Sequence, residues 1–105
     1  MFDELAEVVH ATAKEKGFWD HEVDDIFVTK QLMMIVSEAV EVMEAIRKDK
    51  DEEELAKEFA DIFIRTLDLY AGLVEHGYTT ISLDWAMQEK MLINKDRPEK
   101  HGVRF

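Results

Sequence analysis

The chain has 105 residues, a formal net charge of −11, 47% apolar and 35% charged side chains, and no cysteine. That length corresponds to one domain with apolar residues enough for a core, and the lack of cysteine excludes a disulfide framework, a thiolate metal site and a cysteine nucleophile. So acidic a chain does not neutralise a nucleic-acid backbone, and no apolar run approaches the ~20 residues that span a bilayer, so neither a nucleic-acid polymer nor a membrane is an expected partner.

The start, Met1-Phe2-Asp3-Glu4, lacks the basic and apolar pattern of a secretory leader, and the expectation is a soluble, cytoplasmic protein. One proline and four glycines predict helix throughout. A first helix is expected from Phe2 to Lys16, with Leu5, Val8, Val9 and Thr12 on its core stripe and Gly17 just past its end. Phe18 to Asp25 reads as a loop whose aromatics either stack on a base or fill the core. Trp19 is the preferred base contact. A second helix spans Ile26 to Lys48, with Val28, Leu32, Ile35, Val36, Ala39, Met43 and Ile46 in one apolar sector. Asp49 to Asp51 forms a tight turn, and Asp51 followed by Glu54 resembles a capped helix start.

A third helix spans Glu52 to His76. Leu55, Phe59, Ile62, Thr66, Leu69 and Leu73 mark its core stripe, and Glu58, Asp61, Arg65 and Asp68 a separate polar one. Gly77 stops it, and Thr79 or Thr80 is expected to cap a fourth helix running to Asn94 or Lys95, with Trp85 in the core. The chain thus reads as a single all-α domain over 1–105. It comprises a first helix within 1–17, helices two to four over 26–95, and a basic C-terminal arm over 96–105. Residues 1–89 carry 8 basic and 22 acidic side chains, a balance of −14, whereas residues 90–105 carry 5 and 2, a balance of +3.

Two acid pairs stand out: Glu38-x-x-Glu41 and Glu58-x-x-Asp61. Residues three apart on a helix are surface neighbours, so each pair aims two carboxylates at nearly one point. Both pairs are embedded in apolar stretches, too apolar to be wholly exposed. Glu41 precedes the turn by about as many residues as Glu58 follows it, so an antiparallel hairpin brings the pairs level. Four converging carboxylates repel one another unless a cation joins them, and hard oxygen ligands suit Mg²⁺, with Mn²⁺ as a substitute. Di-iron bundle chemistry would need two Glu-x-x-His pairs. Glu7-x-x-His10 is the one such spacing, and His10 reads as a core or rim residue. Lys90, Asn94 and Arg97, at i, i+4 and i+7, form one stripe of donors able to hold phosphates, although cations also suit any helix C-terminus.

Ser37-Glu38-Ala-Val-Glu41 followed by Glu58-Phe-Ala-Asp61 resembles the E-x-x-E and E-x-x-D signature of the MazG-like, all-α nucleoside triphosphate pyrophosphohydrolases. The resemblance extends to Glu44-Ala-Ile-Arg47, to Ile64-Arg65-x-x-Asp68, and to the ending Lys90-Met91-x-x-Asn94-x-x-Arg97-Pro98-x-x-His101-Gly102, and it covers residues 26–105. It implies a four-helix unit assembled into a homodimer or homotetramer. The implied reaction is Mg²⁺-dependent cleavage of a nucleoside triphosphate between its α- and β-phosphates, giving a monophosphate and pyrophosphate. It further implies that Glu38, Glu41, Glu58 and Asp61 hold the metal and that Lys90, Asn94 and Arg97 contact phosphates. The family often opens its first motif with two consecutive acids, and here Ser37 takes the first place, which leaves the general base unassigned. A reading from another class is a non-catalytic helical module that binds nucleotides or a protein partner, with Met33, Met34 and Met43 as an adaptable surface.

Overall fold

The computed structural model describes residues 1–97, and among them lie four helices and no strand: α1 (Phe2–Glu15), α2 (Asp25–Arg47), α3 (Glu52–Glu75) and α4 (Leu83–Asp96). The basic arm expected over 96–105 falls outside the described residues from Pro98 onward. No described helix is long and apolar enough to cross a membrane.

Three helix starts are closed by a side-chain oxygen: Asp24 accepts from the Phe27 N–H, Asp51 from Glu54 and Ser82 from Trp85. Each bond satisfies a donor that the helix itself leaves free. The cap of α4 is therefore Ser82 rather than Thr79 or Thr80. The cause lies in α1, where Asp3 accepts from the Ser82 hydroxyl at 2.5 Å and from the Leu83 N–H at 2.8 Å. Asp84 returns the contact, accepting from the N–H groups of Phe2 and Asp3 at 2.6 and 3.3 Å and from the Met1 amino group at 2.8 Å. The starts of α1 and α4 thus cap each other.

The three earlier helices end alike. The N–H of Phe18 reaches Ala13, that of Lys50 reaches Ala45 and that of Tyr78 reaches Leu73, at 3.0, 3.0 and 2.9 Å. The residue before each donor is left-handed: Gly17, Asp49 and Gly77, with φ of 82°, 53° and 81°. This backbone closure satisfies the last carbonyls, and aspartate is among the few side chains that tolerate the left-handed position.

Helix α3 is central, with α1 and α2 packed along it, while α4 has its appreciable packing only on α1. The faces differ from those expected. Helix α1 buries Ala6, His10 and Ala13, and leaves Leu5 and Val8 exposed. Small side chains let the two backbones approach, so the closest contact goes to them rather than to the most apolar residues. Helix α2 buries Val42 and Ala45, while Leu32, Val36, Met43 and Ile46 of the expected core sector are exposed, Met43 by 56%. Trp85 is likewise 55% exposed instead of in the core. The core that does form centres on Trp19, with Ala13 and Leu69 and the flanking Val23, Phe27, Ile35 and Leu73.

Candidate active site

The short turn at 48–51 folds α2 back along α3, and Glu38, Val42 and Ala45, spaced i, i+4 and i+7, face α3. That register brings one carboxylate oxygen from each of Glu38, Glu58 and Asp61 to within 4.8 Å of one another. Glu38 and Glu58 are half-buried and Asp61 is exposed. Glu41 is exposed and stands outside this group of three.

Like charges this close raise each other's energy, and the fold supplies one compensating cation. The Nε–H of Arg65 donates to Glu38 at 2.7 Å. Arg65 lies one turn beyond Asp61, on the polar stripe visible in the sequence, and finds its partner on α2. Ligand oxygens around a Mg²⁺ ion sit ~3–4 Å apart, given Mg–O distances of ~2.1 Å. The three oxygens, all within 4.8 Å of one another, are close enough for side-chain rotation to bring them onto one ion. The donor set, all carboxylate and partly exposed, fits a hard divalent cation.

Two cavities flank this group. One, of about 400 Å³, includes Glu38, Asp61, Ile64 and Thr12 in its walls. The other, of about 420 Å³, is walled by Trp19, Phe27, Gln31 and Met34. Phe18, Arg65 and Asp68 line both, so the two spaces meet at these residues. A third cavity, of about 550 Å³ between α1 and α3, shares no lining residue with either.

Of the two adjacent aromatics, Trp19 is buried and Phe18 is 62% exposed. The Trp19 ring is pinned on several sides. Its N–H donates to Asp68 Oδ1 at 2.9 Å, it meets His10 edge-on at 4.8 Å, and it stacks near His76. What it offers a ligand is its contribution to the cavity wall. His10, 5% exposed, has Asp68 Oδ1 at 2.8 Å from Nδ1 and Glu75 Oε2 at 2.6 Å from Nε2. Hydrogen bonds from His10 and then Lys14 hold the Glu75 carboxyl below its usual range. Asp68 lies on the polar stripe legible in the sequence and His10 reads there as a core or rim residue; that these two and Trp19 meet is what the sequence does not signal.

Lys90, Asn94 and Arg97 are exposed on α4. Because α4 does not pack along α2 or α3, a single chain does not gather the basic stripe and the acidic group into one packed unit.

A family model described as the MazG nucleotide pyrophosphohydrolase domain matches residues 27–95, which span α3 and nearly all of α2 and α4 with both acid pairs. No curated protein and no solved structure matches the chain. Since the family model covers well over half the residues, the chain belongs to the MazG nucleotide pyrophosphohydrolase family.

Proposed function

We propose that the protein hydrolyses nucleoside or deoxynucleoside triphosphates between the α- and β-phosphates in the presence of Mg²⁺, releasing a monophosphate and pyrophosphate. The observation that carries this reading is the convergence of Glu38, Glu58 and Asp61 in a chain of this family. Glu38, Glu41, Glu58 and Asp61 are the residues that would hold the metal. Glu41 completes the set because its exposed side chain turns at little cost and its Cβ lies ~5–6 Å from that of Glu38. Bound there, Mg²⁺ supplies charge neutralisation of the triphosphate and Lewis-acid polarisation of its phosphorus, with Mn²⁺ able to substitute.

The protein's own groups do the rest. With Ser37 in place of an acid, one of the four carboxylates orients the attacking water. Arg65, beside Glu38, sits where a developing phosphate charge can be met by its planar donors. Lys90, Asn94 and Arg97 contact the phosphates, and since α4 stands apart from α2 and α3, they do so in a homodimer or homotetramer whose chains exchange this helix. The exposed apolar sector of α2 and the exposed Phe59, Phe63 and Trp85 give such an assembly its buried surface. The same reading makes residues 1–105 one catalytic unit.

Chromatography of products from a panel of ribo- and deoxyribonucleoside triphosphates with Mg²⁺ tests it. Monophosphate with pyrophosphate is the expected result. Diphosphate with phosphate, or no turnover across the panel, overturns it. Tight binding of a non-hydrolysable nucleotide without turnover would instead identify the non-catalytic helical module, which the exposed Met33 and Met43 also suit.

A further inference from the structure

Asp68 is held by two buried side chains, His10 and Trp19, on one of its oxygens: Oδ1 accepts from His10 Nδ1 at 2.8 Å and from the Trp19 N–H at 2.9 Å. Those two bonds lock the carboxylate's orientation. No described residue donates to Oδ2, and no buried side-chain oxygen in the described residues lacks a partner, so Oδ2 is reachable from the space outside. Asp68 lines both cavities at the point where they meet. The fold therefore holds one acceptor oxygen rigidly at the mouth of an aromatic cavity, next to the acidic group.

The chemistry of the two spaces divides a nucleotide between them. Phosphates belong with the cation-binding acids Glu38 and Asp61 in one cavity. The other cavity has Phe27 and Met34 in its walls and the exposed Phe18 ring at the junction, surfaces suited to a flat, apolar-faced group. At about 420 Å³ it lies within the range of small-ligand sites. An ionised carboxylate accepts hydrogen bonds and cannot donate one. A base edge ending in an amino group matches Oδ2, whereas a carbonyl at the same place sets two acceptor oxygens against each other.

We propose that this cavity receives the substrate's base and that Asp68 Oδ2 selects bases bearing an exocyclic amino group, such as cytosine and adenine, over their keto counterparts. The inference rests on the pyrophosphohydrolase reading for the placement of the phosphates. It makes Asp68 a specificity residue and Phe18 the stacking surface, with Trp19 as the wall that holds Asp68 in place. A charge-assisted bond to a partly exposed carboxylate corresponds to a preference of roughly 10–100-fold.

The test uses nucleosides, which have no phosphate and need neither metal nor turnover, so its outcome is independent of the activity assay. Titration of the full chain is followed through the amide resonances of Phe18 and Asp68 and the Trp19 indole N–H. Two isosteric pairs are compared: deoxycytidine with deoxyuridine, and deoxyadenosine with deoxyinosine. The amino member of each pair is expected to bind roughly tenfold or more tightly. Asp68→Asn keeps an oxygen for the Trp19 N–H and turns an amide NH₂ toward the cavity, so the order should collapse or invert in favour of the keto members. Phe18→Ala should weaken all four nucleosides while keeping the order. Equal or keto-favoured binding by the wild-type chain overturns the proposal, as does an unchanged order in Asp68→Asn, or shifts confined to residues away from both cavities. If Asp68→Asn fails to fold, the wild-type order and the Phe18→Ala titration decide the matter alone. A normal nucleoside preference in a chain that releases no pyrophosphate would overturn the activity reading and leave this one standing.

Discussion

At the scale of single residues, the acidic group and its arginine form one electrostatic unit. Removing one carboxylate charge with little change of shape, as in Glu38→Gln or Asp61→Asn, should abolish turnover in the triphosphate assay while the far-ultraviolet circular dichroism stays unchanged. Normal activity in either variant would disprove the metal assignment. A second residue-scale prediction concerns packing. A Cβ placed on Gly72 would lie 2.0 Å from the nearest atom of the Trp19 ring, a rigid group that hydrogen bonds and neighbouring rings hold in place. Overpacking of this kind costs about 1–3 kcal/mol, against a helix-propensity gain of about 1 kcal/mol for alanine. Gly72→Ala should therefore lose about 2 kcal/mol at the high end, and melt about 10 °C lower. A melting temperature above that of the wild type would show that Trp19 is less fixed than its contacts imply. The acids and the basic stripe were legible because charged residues at helical spacing announce a shared face. His10, read as a core or rim residue, is buried, and Asp68 lies on the legible polar stripe; the bond that joins them is not readable, because its partners stand 58 residues apart.

At the scale of elements, the boundaries followed from chemistry that is local to the chain. Asp51 caps α3 and Gly17 and Gly77 close α1 and α3 because these side chains, or their lack, act within one turn. Ser82 is not legible as the cap in that way, since its selection over Thr79 and Thr80 depends on Asp3, some eighty residues away. Face assignment failed on α2 for a related reason. A helix with apolar residues over about half its circumference has several sectors that could serve as the core, and the partner helix took the narrow one with Val42 and Ala45. The junction of α1 and α4 also has a pH dependence with a definite sign. Bonds from the Met1 amino group and then the Phe2 N–H hold the Asp84 carboxyl down at about 2, below its ordinary 3.8. Its contribution is thus fully present above pH 3.8 and is lost as pH falls through about 2. The same bond raises the Met1 amino group above its ordinary 8.0, so the contribution from that partner is present below pH 8.0 and is lost as pH rises through the raised value. Melting of the wild type should fall more steeply between pH 4 and pH 2 than that of Asp84→Asn. Parallel slopes would remove Asp84 from the account.

At the scale of the whole molecule, the chain is too open for its length. Its radius of gyration is 16.1 Å, whereas a compact domain of about 100 residues has ~13 Å. Large side chains such as Leu32, Met43, Phe63 and Trp85 lie exposed, and so many exposed large apolar side chains favour association. Sedimentation is expected to give a dimer or tetramer at micromolar concentration, and a stable monomer there would contradict both the assembly and the delivery of Lys90, Asn94 and Arg97 to the acids. The mutual capping of Asp3 and Asp84 gains a different meaning in that setting. Helix α4 is a boom hinged at one end, and the clasp at its foot sets its bearing. Over its 14 residues the boom reaches ~21 Å, so a swing of ~10° at the clasp moves the basic tip by ~4 Å. On the proposed reading, the aim of Lys90, Asn94 and Arg97 at the phosphates is thereby governed by two aspartates at the far end of the helix.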